Sequence, residues 1–335
     1  MPLGFLVNRL LLAIPTLFGV SVVVFVLLRV VPGDPIAMMI PPGAGQADID
    51  RLRVLYGLDR SIAEQYGIWL GQAITGDFGR SISLRSDVLS LVLARLPATV
   101  ELAVLALLIA GALATCLAVI GTATRGRWPE AVVDGVAGTV QAIPDFVWAL
   151  LFILVLGVLI PILPISGRLD PRVPTTFVTN FYLIESLVRF DGATAAMLLR
   201  HAILPALALA LPLTAVLARL LKSSLSEAMT QDYVQIAKAR GFGPTRLILR
   251  EAMQNALIPT VALSSVQVTF LIGGTVLVER IFSYPGIGNM AIGAVINRDL
   301  PLIQGLVLTF AVLFIAINLI ADWLYAILNP RLRHG

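Results

Sequence analysis

The chain has 335 residues, 58% hydrophobic and 13% charged, with a mean hydropathy of +0.92 and a formal net charge of +4. That balance excludes an ordinary soluble domain and places the chain among integral membrane proteins. One cysteine, Cys116 inside an apolar run, excludes an internal disulfide or cysteine-rich metal site and reads as a packing residue, while a net charge as modest as +4 gives no reason to expect nucleic acid as a partner.

A bilayer core needs roughly 20 apolar residues per helix. In chain order, Leu10 to Leu28, Leu102 to Thr124, Phe146 to Gly167, Ala202 to Ala218, Ala252 to Val278 and Pro301 to Ala321 meet or approach that length, which predicts an all-α integral membrane protein with six transmembrane helices. The third span is expected to draw Asp145 into or near the membrane, and the fifth run is too long to be membrane throughout. The first run is longer than the apolar core of a signal peptide and is followed by Pro32, Gly33, Asp34 and Pro35 without a small-residue cleavage pattern, so it is expected to stay as a helix.

Six spans put both termini on one side. Loops on that side hold eleven Lys and Arg, including both lysines. The shorter loops on the other side hold six, and the seven in segment 29–101 hardly count, because loops beyond about 60 residues escape the positive-inside rule. Both termini are therefore expected in the cytoplasm. The chain divides into an N-terminal span (1–31), an extracytoplasmic segment (32–97) and a core of spans 2 to 6 (98–335), with an outer insertion at about 161–200 and a cytoplasmic loop at 223–258. Within the outer segment, Ile62, Tyr66, Leu70 and Ala73 recur at helical spacing, predicting amphipathic helices between spans 1 and 2.

The stretch DYVQIAKARGFGPTRLILREAMQNALIP, residues 232–259, is charged between two apolar runs. Tyr233 to Arg240 predicts a helix, Gly241 and Gly243 a turn, and Pro244 the first residue of a second helix. On that second helix Ile248, Leu249, Ala252, Met253 and Ala256 share one face, and Arg246, Arg250, Glu251, Gln254 and Asn255 the other. Such a helix lies along a surface, either anionic lipid headgroups or a groove on a partner protein, and composition alone leaves both open.

This stretch resembles the EAA loop of permease subunits of ABC importers, in the form found in the dipeptide and oligopeptide family: Asp232, Tyr233, Val234, then Ala237, Lys238, Ala239, Arg240 and Gly241, then Arg250, Asn255, Ala256 and Pro259. PGDP at 32–35, GLDRSIAEQY at 57–66, GDFGRS at 76–81, RLPATVEL at 95–102, IPDF at 143–146, HAILPALALAL at 201–211 and FSYPGIG at 282–288 extend the resemblance, in order, along nearly the whole chain and to the first of the two permeases of such systems. It departs at Gln235 and Ile236, which replace the first two residues of Glu-Ala-Ala, at Glu251, where a His is usual, and in the closing NPRLRHG.

The resemblance implies a type I importer permease of the bacterial plasma or inner membrane, multi-pass, with no chemistry or cofactor of its own, serving the import of peptides; nickel or glutathione are the alternatives within the family. No phosphate-binding G-x-x-x-x-G-K-[ST] loop occurs, so ATP belongs to a partner. The implied partners are a second, related permease forming a heterodimer, two cytoplasmic ATP-binding subunits, an extracytoplasmic substrate-binding protein and the lipid membrane. Segment 232–259, between spans 4 and 5, is then the cytoplasmic coupling helix. Gly241 permits its turn and Ala237 and Ala239 close approach. Arg240, Arg246 and Arg250 are implied to pair with acidic groups of the ATPase and Leu247, Ile248 and Leu249 to be its apolar contacts, with Lys238, Phe242, Pro244, Asn255 and Pro259 in the same loop. Ser264, Ser265, Gln267 and Thr269 on the fifth span are candidates for lining the pathway.

Two other classes compete. An intramembrane enzyme needs buried polar groups, and the candidates are sparse: His201 at a span edge, His334 in the tail, and Asp145 and Glu101, which the expected topology places near opposite membrane faces. A receptor or purely structural membrane protein fits the composition but not the run of matching strings.

Overall fold

The computed structural model describes residues 3–30, 45, 47, 59–173 and 176–328. The PGDP string, the start of the outer amphipathic segment, NPRLRHG and His334 lie outside the described residues. Described regular structure is helical apart from one isolated bridge, Arg80 with Asp87. In chain order the helices are α1 (Leu3–Val30), α2 (Ile62–Ile74), α3 (Val88–Ala123), α4 (Trp128–Ala142), α5 (Asp145–Phe152), α6 (Tyr182–Val188), α7 (Gly192–Ala228), α8 (Asp232–Ala239), α9 (Pro244–Arg246), α10 (Met253–Ile281), α11 (Ile287–Ile296) and α12 (Leu300–Leu328). π-helical turns follow α5 (Ile153–Leu159) and α9 (Leu247–Ala252).

Among the described residues, four helices are long and apolar enough to cross a membrane: Leu11–Val30 and, whole or nearly whole, α3, α7 and α12. Two bent pairs pass the same test jointly, α4 with α5 and its π turn (97°) and Pro244–Ser264 with Val266–Ile281 (48°), giving up to six spans if each pair counts as one.

The helix limits differ from the apolar runs for identifiable reasons. α3 begins at Val88 rather than Leu102, because a helix can carry Arg95 and Glu101 as long as its backbone bonds continue. The helical part of the third run stops at Leu159 instead of Gly167, since Pro161 and Pro164 offer no N–H to a continuing helix. α4, not foreseen as an element, starts on a Pro in its first turn and ends at Ile143, which precedes Pro144 and is held extended at φ −96°, ψ 122°. That pre-proline restriction makes the 97° bend, and the Asp145 carboxylate accepts the Phe146 N–H at 2.8 Å as the next helix opens.

By its internal contacts the chain falls into two units, residues 98–285 with 316–335, and residues 2–97 with 286–315. In the first, α3 presents Ala98, Leu102, Ala106, Ala110, Ala114 and Ala118 every fourth position, all essentially without exposure. This small-residue row shares buried clusters with apolar residues of α7. Lipid gives helices no hydrophobic reason to associate, so close backbone approach along small residues does the work. Gly274 of α10 is one tight case: an added Cβ would lie 2.4 Å from the Asp145 carboxylate and 3.3 Å from Leu209.

The insertion ahead of α7 is fixed by charge. Arg168 and Glu101 form an ion pair at 2.5 Å with both side chains 5% exposed. The second Glu101 oxygen accepts the Leu183 and Ile184 N–H groups at 3.0 and 3.1 Å, two of the orphan donors at the start of α6. Arg168 also donates to the Asn180 carbonyl at 3.0 Å, and its guanidinium lies 4.0 Å from the Tyr182 ring centre. Glu185 ties the loop before α6 to that helix, accepting from the Val178 N–H, the Thr179 N–H and the Thr179 hydroxyl at 2.6–2.8 Å. Asp191 accepts the Thr194 N–H and caps α7.

In the second unit Phe25 of α1 is fully buried and meets Tyr66 and Trp69 of α2 at 5.3 and 5.5 Å between ring centres. The expected amphipathic face is there in Tyr66, Leu70 and Ala73, whereas Ile62 is exposed. α2 opens on a reciprocal cap of Ser61 and Glu64. Asp299, wholly buried before α12, accepts the Ser81 and Ser83 hydroxyls at 2.6 and 2.7 Å and the Ser83 N–H at 2.9 Å. Burial alone would raise its pKa; the two hydroxyls, with backbone N–H groups, outweigh it and hold the carboxyl below the usual range.

Breaking a buried pair strands a charge, at a cost of about 3–5 kcal/mol, whereas replacing both partners by apolar groups is often neutral. Arg168→Met and Glu101→Met are therefore each expected to lower the thermal stability of the purified protein far more than the double substitution does. Additive losses in the double variant would disprove a coupled pair.

Glu185 supplies a pH test. Hydrogen bonding from the Thr179 hydroxyl, then from the Val178 N–H, holds its pKa at about 2 against an ordinary 4.5. A depressed folded-state value stabilises fully above the unfolded value and is lost as pH falls through the folded one. Amide exchange at Val178 and Thr179 should thus accelerate, relative to neighbouring amides, as pH drops from about 4.5 towards about 2. Glu185→Gln should remove that dependence; an unchanged profile in the variant would contradict it.

Candidate functional site: the 232–259 segment

Residues 232–259 form two helices joined by a turn. α8 carries Asp232 in its first turn and Lys238 in its last, matching the helix dipole at both ends. It ends at Gly241, whose φ of +82° lies in the left-handed region that Cβ-bearing residues enter at a cost of roughly 1–2 kcal/mol. There the Gly241 N–H bonds back to the Lys238 carbonyl at 3.0 Å and the Phe242 N–H to the Ala237 carbonyl at 3.3 Å, the pairing that closes helices through a left-handed residue. Pro244 then opens α9, whose last residue, Arg246, places its guanidinium 3.8 Å from the Phe242 ring centre.

The segment has an inner and an outer face. Val234, Ala237, Leu247, Ile248, Ala252, Met253 and Ala256 are buried in one cluster with Leu221, Leu225 and Ala228 of α7. Tyr233, Ile236 and Leu249 are 37%, 54% and 49% exposed, and Lys238, Ala239, Arg240, Gly241, Pro244, Arg246, Arg250, Asn255 and Pro259 are exposed too, with Phe242 half-buried. The residues assigned to this loop from sequence thus divide: Ala237, Leu247 and Ile248 are core of the chain itself, while the others line its outer face or rim. Leu249, expected on the apolar face, faces out because the π turn's longer repeat breaks the 3.6-residue spacing after Leu247.

One contact at this end escaped the sequence reading. Lys222 of α7 donates to both Asp134 carboxylate oxygens at 2.8 Å and meets Glu130 at 2.8 Å, binding α4 to α7 near the point where the chain enters the segment. Gly121 of α3 admits the lysine stem; a Cβ there would come within 3.1 Å of it. The available signal was a lysine on an apolar helix in a chain with only two, and separately an i, i+4 pair of acids at Glu130 and Asp134, with nothing in the sequence to join them.

The expected pathway residues sit where α10 bends. Ser264 is half-buried, its hydroxyl bonded to the Thr260 carbonyl one turn back at 2.5 Å, a contact that bends helices. Gln267 and Thr269 are half-buried; the side chain of Ser265 lies outside the described residues. Glu101 and Asp145 do not come together as a catalytic pair: the Glu101 carboxylate is taken by Arg168 and two backbone N–H groups, and Asp145 packs against Gly274.

Residues 109–334 match the family described as "Binding-protein-dependent transport system inner membrane component", and residues 2–103 match its N-terminal component. The chain belongs to this permease family. It is similar to the di/tripeptide transport system permease DppB of Pseudomonas aeruginosa, at 37% identity, to the oligopeptide transport system permease AppB of Bacillus subtilis, at 33%, and to the glutathione transport system permease GsiC of Escherichia coli, at 32%, in each case across 99% of both chains. The protein is thus a non-catalytic, multi-pass inner-membrane permease of a binding-protein-dependent ABC importer. The absence of a phosphate loop, read from the sequence, accords with that role.

The two faces of α8 give opposite expectations for adjacent positions. Ala237→Leu, into the buried cluster, should destabilise the purified permease by about 1–3 kcal/mol through overpacking. Ile236→Ala, on the exposed face, should stay within about 0.5 kcal/mol. Equal shifts in thermal melting would overturn the assignment of faces.

Proposed function

We propose that this permease forms half of the pathway of an ATP-driven peptide importer and that residues 232–259 are its coupling helix. Both termini and this segment lie in the cytoplasm, following the eleven-to-six excess of Lys and Arg in the loops that count. The partners are a second related permease, two cytoplasmic ATP-binding subunits and an extracytoplasmic substrate-binding protein. Peptides are the favoured substrate, because two of the three relatives named above carry peptide in their description; glutathione, and nickel, are the alternatives.

The observation that carries the coupling role is the division of α8 and its turn into a buried face seated on α7 and an outward face bearing Tyr233, Ile236, Lys238 and Arg240. A partner gripping the outward face moves the α7 and α10 ends through the buried one. Coupling then arises because the ATP-binding subunits hold this face differently in their open and closed forms; equal affinity for both would shift nothing. Ser264, Ser265, Gln267 and Thr269, at the bend of α10, are proposed to line the pathway.

The test is ATP-dependent accumulation of labelled peptide in vesicles containing the whole complex, with glutathione and nickel in parallel. Gly241→Val is expected to insert normally yet to cut uptake about tenfold, the equivalent of the roughly 1–2 kcal/mol left-handed penalty, whereas Gly241→Asn should retain most activity because Asn tolerates that conformation. Wild-type uptake by the valine variant would sink the coupling assignment.

A further inference from the structure

Ahead of the first buried turns of α7 lies a groove of about 610 Å³, within the range of small-molecule sites. Its floor is one helical face, with Ala193, Met197, Arg200 and His201 at i, i+4, i+7 and i+8; the opposite face, including Ala195 and Leu198, is core. Its wall is the chain that leaves the π turn, where Pro161 and Pro164 fix the backbone. Asp170 completes the lining.

The polar groups in this groove are placed but not spent on one another. Arg200 donates one N–H to the Ile162 carbonyl at 3.1 Å, which anchors its guanidinium to the wall. The His201 Nδ1 lies 2.9 Å from the Met197 carbonyl, which can only accept, so Nδ1 carries the proton and Nε2 of the neutral ring is left as an acceptor. One Asp170 oxygen accepts the Arg172 N–H at 3.0 Å. Among the described residues Asp170 and Arg200 form no ion pair with each other, although both line the same groove. A groove lined by an anion and a cation that do not pair with each other matches a solute that carries the opposite charges at separate ends.

We propose that this groove binds a short zwitterionic peptide, its ammonium towards Asp170 and its carboxylate towards Arg200, as a docking point at the end of α7 that carries the insertion. The inference rests on the reading of the protein as a peptide importer's permease. An aminophospholipid headgroup shares the charge pattern, and the test separates it.

The purified complex, without binding protein, is placed in phosphatidylcholine nanodiscs, and saturation-transfer NMR compares dialanine with N-acetyl-dialanine, which lacks the ammonium, and dialanine amide, which lacks the carboxylate. Each derivative should bind about tenfold more weakly, as expected for one lost charged contact. Asp170→Asn should abolish only the preference over the acetyl form, and Arg200→Gln only the preference over the amide. Ala193→Trp, which fills the exposed groove with both charges kept, should remove the signal altogether. Equal binding of the three ligands, or the same loss of both preferences in either charge variant, would overturn the site. So would a dialanine signal that vanishes in phosphatidylethanolamine discs, which would give the groove to the headgroup. ATP-driven dialanine uptake without any charge-selective signal would refute the groove and leave the transport reading intact; a charge-selective signal in a complex that imports no peptide would do the reverse.

Discussion

The ion pair between Glu101 and Arg168 is the constraint on which the arrangement around the insertion depends. Two charges removed from water are tolerated when each finds a partner and most of the remaining polar atoms are satisfied, the Arg168 Nε being the exception here. Glu101 meets that demand by taking Arg168 on one oxygen and the first backbone donors of α6 on the other. The carboxylate therefore defines where the connection 160–191 must fold, and α6, only seven residues long, has its start fixed by a group from α3 rather than by its own sequence. Arg168 in turn stacks on Tyr182, so helix, loop and ion pair share one set of contacts.

Much of the membrane architecture was legible in hydropathy, because a span must be apolar over a set length whatever it packs against. The runs around Leu10 to Leu28 and Pro301 to Ala321 fall within α1 and α12. What hydropathy missed were the helices that carry charge or bend. α4 holds Glu130 and Asp134 and so reads as a loop, and α3 extends back over Arg95. The pairings at Arg168 and Lys222 join residues 67 and up to 92 positions apart in sequence, a distance at which no local period carries information. Lys222 was nonetheless visible as a lysine on an apolar helix, whereas Arg168, in GRLDPR beside Asp170 and Arg172, gave no such sign.

The 232–259 segment shows where pattern reading fails more subtly. Its turn was legible from Gly241 and Pro244, since left-handed backbone and a helix start each call for a specific residue. Its faces were only half legible. The 3.6-residue period placed Ile248, Ala252, Met253 and Ala256 together, as found, but put Leu249 with them; the π turn widens the spacing and turns Leu249 out. Similarly, Ala237 and Leu247 look available in a charged loop, yet the apolar end of α7 takes them up. The charged interruption between apolar runs is plain in the sequence, whereas the division into faces comes from packing that sequence alone does not display.

Lys222 gives the α4–α7 contact a property that neither helix has by itself. Its two acidic partners, Glu130 and Asp134, stand one helical turn apart on α4 and are both within 2.8 Å of the ammonium. One ammonium held at once by two carboxylates a helical turn apart ties α7 to a length of α4 rather than to a single point, so removing either acid leaves the contact its other anchor.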